Sequence, residues 1–309
     1  MSERLRVLGR LPDHAAERIT KAWPEAFVSR SGPLRDGDAV LAWDYAPEPL
    51  LDLLAGVARV RWVHTRATGV DPRVLAEVQR CGAVFTCGRG GHGQAVAEHV
   101  VALVLAHLRR IPELIGRQTR REWDDSFGVD TLHGRLVGVL GAGDLGGTTA
   151  VLMEAFGAQL RILRRSGVRA DRMYGPEELD QFLSGLEVLV VALPLTRETA
   201  GMLSADRLAR VASGCLLVNV GRGAVVDQDA MISALRSGQL GGAALDVFVE
   251  EPLPTSSPLW SLPGVIVSPH CADATPTADA RMLDVYLAQL ARFRTGLPLS
   301  NVVSPELGY

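Results

Sequence analysis

The stretch LVGVLGAGDLG (136–146) decides the architecture of this chain. Its first five residues form an apolar run, and a glycine-rich turn follows directly. Behind the turn, a helical pattern continues to Phe156, and Gly157 is placed to end it. Strand, turn and helix in that order are the context in which G-x-G-x-x-G reads as a dinucleotide-binding turn rather than a plain tight connection. Gly141 permits the tight turn, Gly143 lets a pyrophosphate approach the backbone, and Gly146 allows helix and strand to pack closely. Asp144 and Leu145 open the helix, where free N–H groups and the positive dipole end face the phosphates.

The same alternation extends outward on both sides. On the amino-terminal side, strands are expected at 5–8, 40–43, 61–64 and 84–86. Asp71 and Pro72 read as cap and first-turn proline of a helix through Val78. One long helix over 94–115 is expected to cross into a second domain. On the carboxyl-terminal side, strands are expected at 160–163, 188–193, 216–220, 243–248 and 265–268. Asp227 can cap a helix ending at Gly238, and Thr275-Pro276 restarts helix until Gly296 stops it. Short β-branched runs alternating with amphipathic helices imply parallel α/β architecture.

With 309 residues the chain can hold two cores. Hydrophobic residues make up 47% and the net charge is only −3, as in a soluble globular protein, which gives no reason to invoke nucleic acid or a membrane surface. Lys21 is the only lysine, and the arginines are scattered without a basic run. The start MSERLRVLGR lacks the apolar core of a signal peptide. The most apolar helix candidate, 95–108, carries Glu98 and His99 and is too short to span a bilayer. Cys81, Cys87, Cys215 and Cys271 fit neither a zinc pattern nor a disulfide framework, so reduced thiols in a cytoplasmic protein are expected, and no metal. Cys271 beside His270 would make that position sensitive to oxidation.

Cofactor choice is read about 20 positions after the glycine turn, where an acidic residue would bind the ribose 2′-hydroxyl of NAD. This chain has Arg164-Arg165-Ser166 there. Guanidinium groups with a hydroxyl suit a 2′-phosphate, so NADP(H) is the expected preference, with NAD(H) possible.

Three further segments follow one another in order: LVNVGRGAVVD (217–227), GAALDVFVEEPLP (242–254) and SPHCADAT (268–275). Together with the glycine turn they closely resemble the D-isomer-specific 2-hydroxyacid dehydrogenases, over most of the chain. Arg-Ser pairs like 165–166 occur in that family's glyoxylate and hydroxypyruvate reductase branch, which uses NADPH. The resemblance implies two Rossmann-like α/β domains, a dinucleotide-binding domain (99–276) inserted into a flavodoxin-like substrate domain (1–98 and 277–309). It implies a small 2-oxo or 2-hydroxy acid as substrate, a site in the cleft between the domains, and a homodimer contacting through 94–115.

The resemblance also assigns residues. His270, after a strand end and Pro269, matches the family's acid/base histidine. Glu251, immediately before a proline and five positions after Asp246, matches the carboxylate that bonds it, leaving Glu250 as a solvated neighbour. An adjacent carboxylate favours imidazolium, which can donate to a forming alkoxide and, once neutral, take a hydroxyl proton back. Arg222 can grip a substrate carboxylate and polarise the C2 carbonyl, with Gly221 and Gly223 leaving room for cofactor and substrate. Leu193, Pro194, Thr199, Val220, Gly221 and Asp246 match cofactor-lining positions, Asp246 orienting the nicotinamide amide. The loop 67–71 resembles one whose backbone binds the substrate carboxylate, with Thr68 and Gly69 as candidates. Trp43, Tyr45, Arg66, Arg89 and His92 are expected around the side-chain pocket or in domain packing, and Glu98 as a buried structural or interdomain partner. Asp273 departs from the family pattern near His270.

Three alternatives stay open. A nucleotide-sensing binder, as in the C-terminal-binding-protein corepressors of this fold, would keep the same residues. A formate-dehydrogenase-like enzyme is disfavoured because glutamine would stand in place of Glu251. An alanine-dehydrogenase relative would need a lysine near the substrate, and only Lys21 exists.

Overall fold

The computed structural model describes residues 4–25, 27–44, 46–165 and 171–306. Tyr45 and Ser166 lie outside the described residues. The chain divides into two compact units, Met1–His92 with Pro276–Tyr309, and Gly93–Thr275. The first crossing comes earlier than the expected 98/99, because Gly93 already starts a helix.

The first unit holds a five-stranded parallel sheet. Its strands are β1 (Arg4–Leu8), β2 (Phe27–Ser29), β3 (Ala39–Ala42), β4 (Trp62–Thr65) and β5 (Val84–Cys87), in the order β2-β1-β3-β4-β5. Alternate residues feed opposite cores: Leu5, Val7, Ala39 and Leu41 join Ile19, Trp62 and Tyr286, whereas Val40, Ala42 and Val63 join Leu50, Leu54 and Val74. The expected Asp71 cap forms, accepting from Arg73 N–H at 2.7 Å.

The second unit holds seven parallel strands: β6 (Leu136–Leu140), β7 (Gln159–Leu163), β8 (Met173–Tyr174), β9 (Val188–Val191), β10 (Cys215–Asn219), β11 (Leu240–Leu245) and β12 (Val265–Val267). Their order is β12-β11-β10-β9-β6-β7-β8. The order reverses between β6 and β9, the switch point at which such sheets bind ligands outside their carboxyl ends. On β9, Val188 and Val190 face one core while Leu189 and Val191 face the other, so the strand is apolar on both sides.

Two expectations are corrected. The helix expected over 94–115 is two helices, Gly93–Leu108 and Ile111–Arg120, separated by Arg110 with φ 52°. Pro112 lacks an N–H, and its ring would clash with the carbonyl of Leu108, so the first helix has to stop there. The strand expected over 243–248 is Leu240–Leu245. Gly241 and Gly242 are strand residues, because a Cβ on Gly241 would lie 2.5 Å from the Gly214 carbonyl and one on Gly242 2.3 Å from the His107 ring. Asp227 caps Gln228–Ser237 by accepting from Ala230 N–H at 3.0 Å, and Gly238 closes that helix at φ 78°.

Candidate active site

The glycine turn begins where β6 ends. Gly141 has φ 110°, and a Cβ there would sit 2.7 Å from the Ala192 carbonyl at the end of β9. A Cβ on Gly146 would lie 1.8 Å from the Gly141 carbonyl, so helix Asp144–Ala155 packs against its own turn only because residue 146 is glycine. Gly143 is different: its Cβ direction meets nothing within 4 Å. That open face over a helix start suits a pyrophosphate. The Asp144 carboxylate is committed elsewhere, accepting from Gly93 N–H at 2.8 Å, so only its backbone is offered at the turn.

Around the turn, Thr199 fixes the loop after β9: its hydroxyl donates to the Pro194 carbonyl at 2.7 Å and accepts from Thr196 N–H at 2.8 Å. Leu193 and Pro194 stay half-buried, and Val220 is buried. Arg164 and Arg165 follow β7, half-buried and exposed respectively.

The remaining residues stand on three neighbouring strands. Asn219, Leu245 and Val267 are in register across β10, β11 and β12. Arg222 follows three residues after Asn219 (222 − 219), and His270 three after Val267 (270 − 267), so both leave the same sheet edge. Asn219, which lies in the segment 217–227 but was given no role there, holds the Arg222 turn: its side chain accepts from Gly221 N–H and donates to the Arg222 carbonyl, both at 3.1 Å.

His270 Nδ1 lies 2.7 Å from Glu251 Oε2, and Glu251 Oε1 accepts from Phe248 N–H at 2.9 Å. A Cβ on Gly223 would meet the Phe248 carbonyl carbon at 2.1 Å. The backbone beside Arg222 therefore touches the residue whose N–H holds Glu251. Gly221 likewise abuts the Leu193 carbonyl, at 2.6 Å from where a Cβ would stand, so both glycines are required by the packing of the protein itself. They are close-packing glycines.

Stability does not explain the His270–Glu251 pair. The two side chains are 48% and 36% exposed, and an ion pair that open adds little. His270 also has φ 51°, a left-handed backbone that costs of order 1–3 kcal/mol for a residue with a Cβ. The pair is therefore held for some reason other than its own contribution to stability.

Beneath it, Asp246 is buried. Its Oδ1 accepts from Ser268 Oγ at 2.6 Å and from Cys271 N–H at 3.0 Å, and its Oδ2 accepts from Ala272 N–H at 3.1 Å. The Cys271 thiol is pushed up, first by burial and then by Asp246, which disfavours the reactive thiolate and weighs against the expected oxidation sensitivity.

Other expected positions fall as follows. Thr68 and Gly69 follow β4 in the first unit, half-buried. Trp43 is buried, with the Arg66 guanidinium 5.6 Å from its ring centroid and paired to Asp279 at 2.5 Å. His92 is buried with Nε2 3.1 Å from the Arg66 carbonyl, and the Arg89 carbonyl accepts from Asn301. Glu98 is exposed, not buried, and accepts from Gln94. Among the described residues no group of His, Cys, Asp and Glu is arranged to hold a metal ion, and no helix is long and apolar enough to cross a membrane.

Residues 101–272 match the model of the D-isomer specific 2-hydroxyacid dehydrogenase, NAD binding domain. The chain belongs to the D-isomer specific 2-hydroxyacid dehydrogenase family. It is an oxidoreductase of the glyoxylate/hydroxypyruvate reductase branch, with the family's two parallel-sheet α/β domains. It is 35% identical to glyoxylate/hydroxypyruvate reductase B of Pectobacterium carotovorum, covering 83% of this chain and 82% of that one. Glyoxylate/hydroxypyruvate reductase A of Serratia proteamaculans is 33% identical over 95% of this chain and 94% of its own. Among solved structures, a family member from Xanthobacter autotrophicus Py2 in complex with NADPH and MES superposes with TM-score 0.83 at 32% identity, covering both chains fully. The NADPH-dependent glyoxylate/hydroxypyruvate reductase of Sinorhizobium meliloti, in complex with NADP and sulfate, gives 0.85 at 28%, over 99% of this chain and 100% of that one.

Proposed function

We propose that this protein reduces a small 2-oxo acid to its D-2-hydroxy acid with NADPH, and that His270 exchanges the proton. The observation that carries this reading is the 2.7 Å contact between Glu251 and a strained, half-exposed His270 at the carboxyl edge of the dinucleotide sheet. The residues present suit the cofactor: the open face over Gly143, the helix start at Asp144-Leu145, and the loop through Leu193, Pro194 and Thr199 would hold it. When bound, a nicotinamide supplies the hydride. Everything else is done by the protein's own groups.

Glu251 accepts a hydrogen bond from His270 Nδ1–H, which fixes the ring and leaves Nε2 to serve the substrate oxygen. The carboxylate balances the charge of a doubly protonated ring, so the imidazolium can donate to the alkoxide forming at C2. Arg222, on the same edge, is suited to a carboxylate and to charge developing on the carbonyl oxygen. Arg222→Lys is expected to lower kcat/KM by roughly 100-fold, because an ammonium cannot reproduce the fork. Nearly full activity would remove Arg222 from this role.

The preference for NADPH is supported by Arg164 and Arg165 after β7 and by the NADP and NADPH complexes of the relatives. One spectrophotometric panel tests substrate and cofactor together: glyoxylate, hydroxypyruvate and bulkier 2-oxo acids, each with NADPH and NADH. Turnover favouring NADPH is the expected result. A higher kcat/KM with NADH would overturn the cofactor assignment. Tight cofactor binding with no turnover of any 2-oxo acid would favour the nucleotide-sensing alternative.

We further infer a homodimer. The expected contact, residues 94–115, is largely buried within its own unit over Gly93–Leu108. Exposed apolar residues follow it: Ile111, Leu114 and Ile115 of the next helix, and Trp123 beyond that. A monomer mass by light scattering would overturn this.

A further inference from the structure

One polar cluster takes no part in the proton exchange just described. It joins His99, on helix Gly93–Leu108, to Ser268 at the end of β12 and to Asp246 at the end of β11. His99 Nε2 lies 3.0 Å from Ser268 Oγ and 3.7 Å from Asp246 Oδ1. Ser268 and Asp246 are both buried.

Counting hydrogens settles who donates to whom. The Ser268 hydroxyl has one hydrogen, and an ionised carboxylate only accepts. Two oxygens 2.6 Å apart need a hydrogen between them, so Ser268 donates to Asp246. Towards His99 it can then offer only a lone pair, and His99 Nε2 must carry a hydrogen. The same count excludes the serine as a nucleophile, because its proton points at the carboxylate and not at an accepting imidazole nitrogen.

The cluster is aimed at the His270 turn. The Asp246 carboxylate collects the N–H groups of Cys271 and Ala272, the two residues after His270, while His270 N–H donates to the Ser268 carbonyl at 3.1 Å. Those bonds hold residue 270 at φ 51°. Without a fixed carboxylate below it, the turn is free to relax, and the ring would lose its registration on Glu251.

We propose that His99 and Ser268 are positioning residues for His270: they fix the Asp246 carboxylate, which holds the left-handed turn that sets the imidazole on Glu251. The consequence for turnover rests on the reading that His270 exchanges the proton. The consequence for geometry does not, so the two are tested separately.

The test compares His99→Leu, His99→Gln and Ser268→Ala with the wild type. The glutamine amide keeps a donor where His99 Nε2–H stands, and leucine does not. For the leucine and alanine variants, the turnover rate at saturating glyoxylate and NADPH is expected to fall roughly 10-fold. His99→Gln is expected to recover most of that loss. In the cofactor-free protein, ¹⁵N-histidine spectra are expected to show His99 protonated at Nε2, and the His270 ring signals shifted by His99→Leu and restored by His99→Gln.

Three results would overturn the proposal: His270 signals unmoved by both His99→Leu and Ser268→Ala, a glutamine variant as impaired as leucine, or His99 carrying its only proton on Nδ1. If His270→Ala itself keeps wild-type turnover, the proton-exchange reading fails instead, and the His270 signals alone then decide positioning. Should His99→Leu fail to fold, Ser268→Thr replaces it. An active threonine beside an impaired alanine supports the proposal, and equal activities overturn it.

Discussion

His64 and His270 sit on the two sheets of this molecule in opposite surroundings. His64 lies within β4, fully enclosed, with Nδ1 2.8 Å from Thr86 Oγ1 and its ring 5.3 Å from that of Tyr286. Trp62 Nε1, which can only donate, already uses Thr86 Oγ1 as acceptor at 2.8 Å, so the threonine hydrogen is free to point at His64. Burial alone pushes the His64 pKa down to about 3, and the ring is a neutral part of the core. His270 stands beyond β12, half exposed, with a carboxylate on Nδ1 and a strained backbone. The ring chemistry is the same in both. Water and a counter-charge decide whether it can exchange a proton.

The largest expected effect tests that contrast at its open end. His270→Ala should lower kcat/KM for glyoxylate or hydroxypyruvate by roughly 10²–10⁴-fold, the range of a lost general acid. A loss below about threefold would mean that exposure and pairing do not mark the proton donor.

Glu251→Gln should have a smaller effect, roughly 10-fold at neutral pH. Glutamine can still accept a hydrogen bond from Nδ1–H, but it cannot balance the charge of a doubly protonated ring. A kcat/KM within about twofold of wild type would dissociate Glu251 from the ring's charge. The melting temperature should barely move, since so exposed a pair contributes little.

The effect at the buried end leaves turnover at neutral pH untouched and concerns stability alone. An unfolded histidine has its ordinary pKa, above the folded value, so protons favour the unfolded chain. His64 therefore leaves stability intact above about pH 6.5, and stability falls by about 1.4 kcal/mol per unit as pH drops from there towards 3. In denaturant titrations at pH 7, 6, 5 and 4, His64→Gln should flatten that dependence. Wild type and variant losing stability in parallel would show that the ring is not held neutral by its core.

How far each feature could be read follows from how local its cause is. The roles of Gly141 and Gly146 were legible because a turn and the helix it opens set their own contacts. The caps at Asp71 and Asp227 were legible for the same reason. The helix stop ahead of Pro112 was written in the sequence, but the long apolar period from residue 94 concealed it. Gly241 and Gly242 were not legible as strand, because glycine is disfavoured in strands unless a neighbour presses on it. Here those neighbours are Gly214 and His107.

By itself, the sequence determined the dinucleotide turn and the parallel α/β alternation, and it marked Arg222, Glu251 and His270 as candidates, since each is signalled by a short contiguous segment. Only tertiary structure decided that Asp144 turns to Gly93, that Gly223 presses on Phe248, and that His99 meets Ser268 from 169 residues away. Such contacts join side chains to strands brought side by side by β-sheet registry. Spacing along one chain cannot specify that registry.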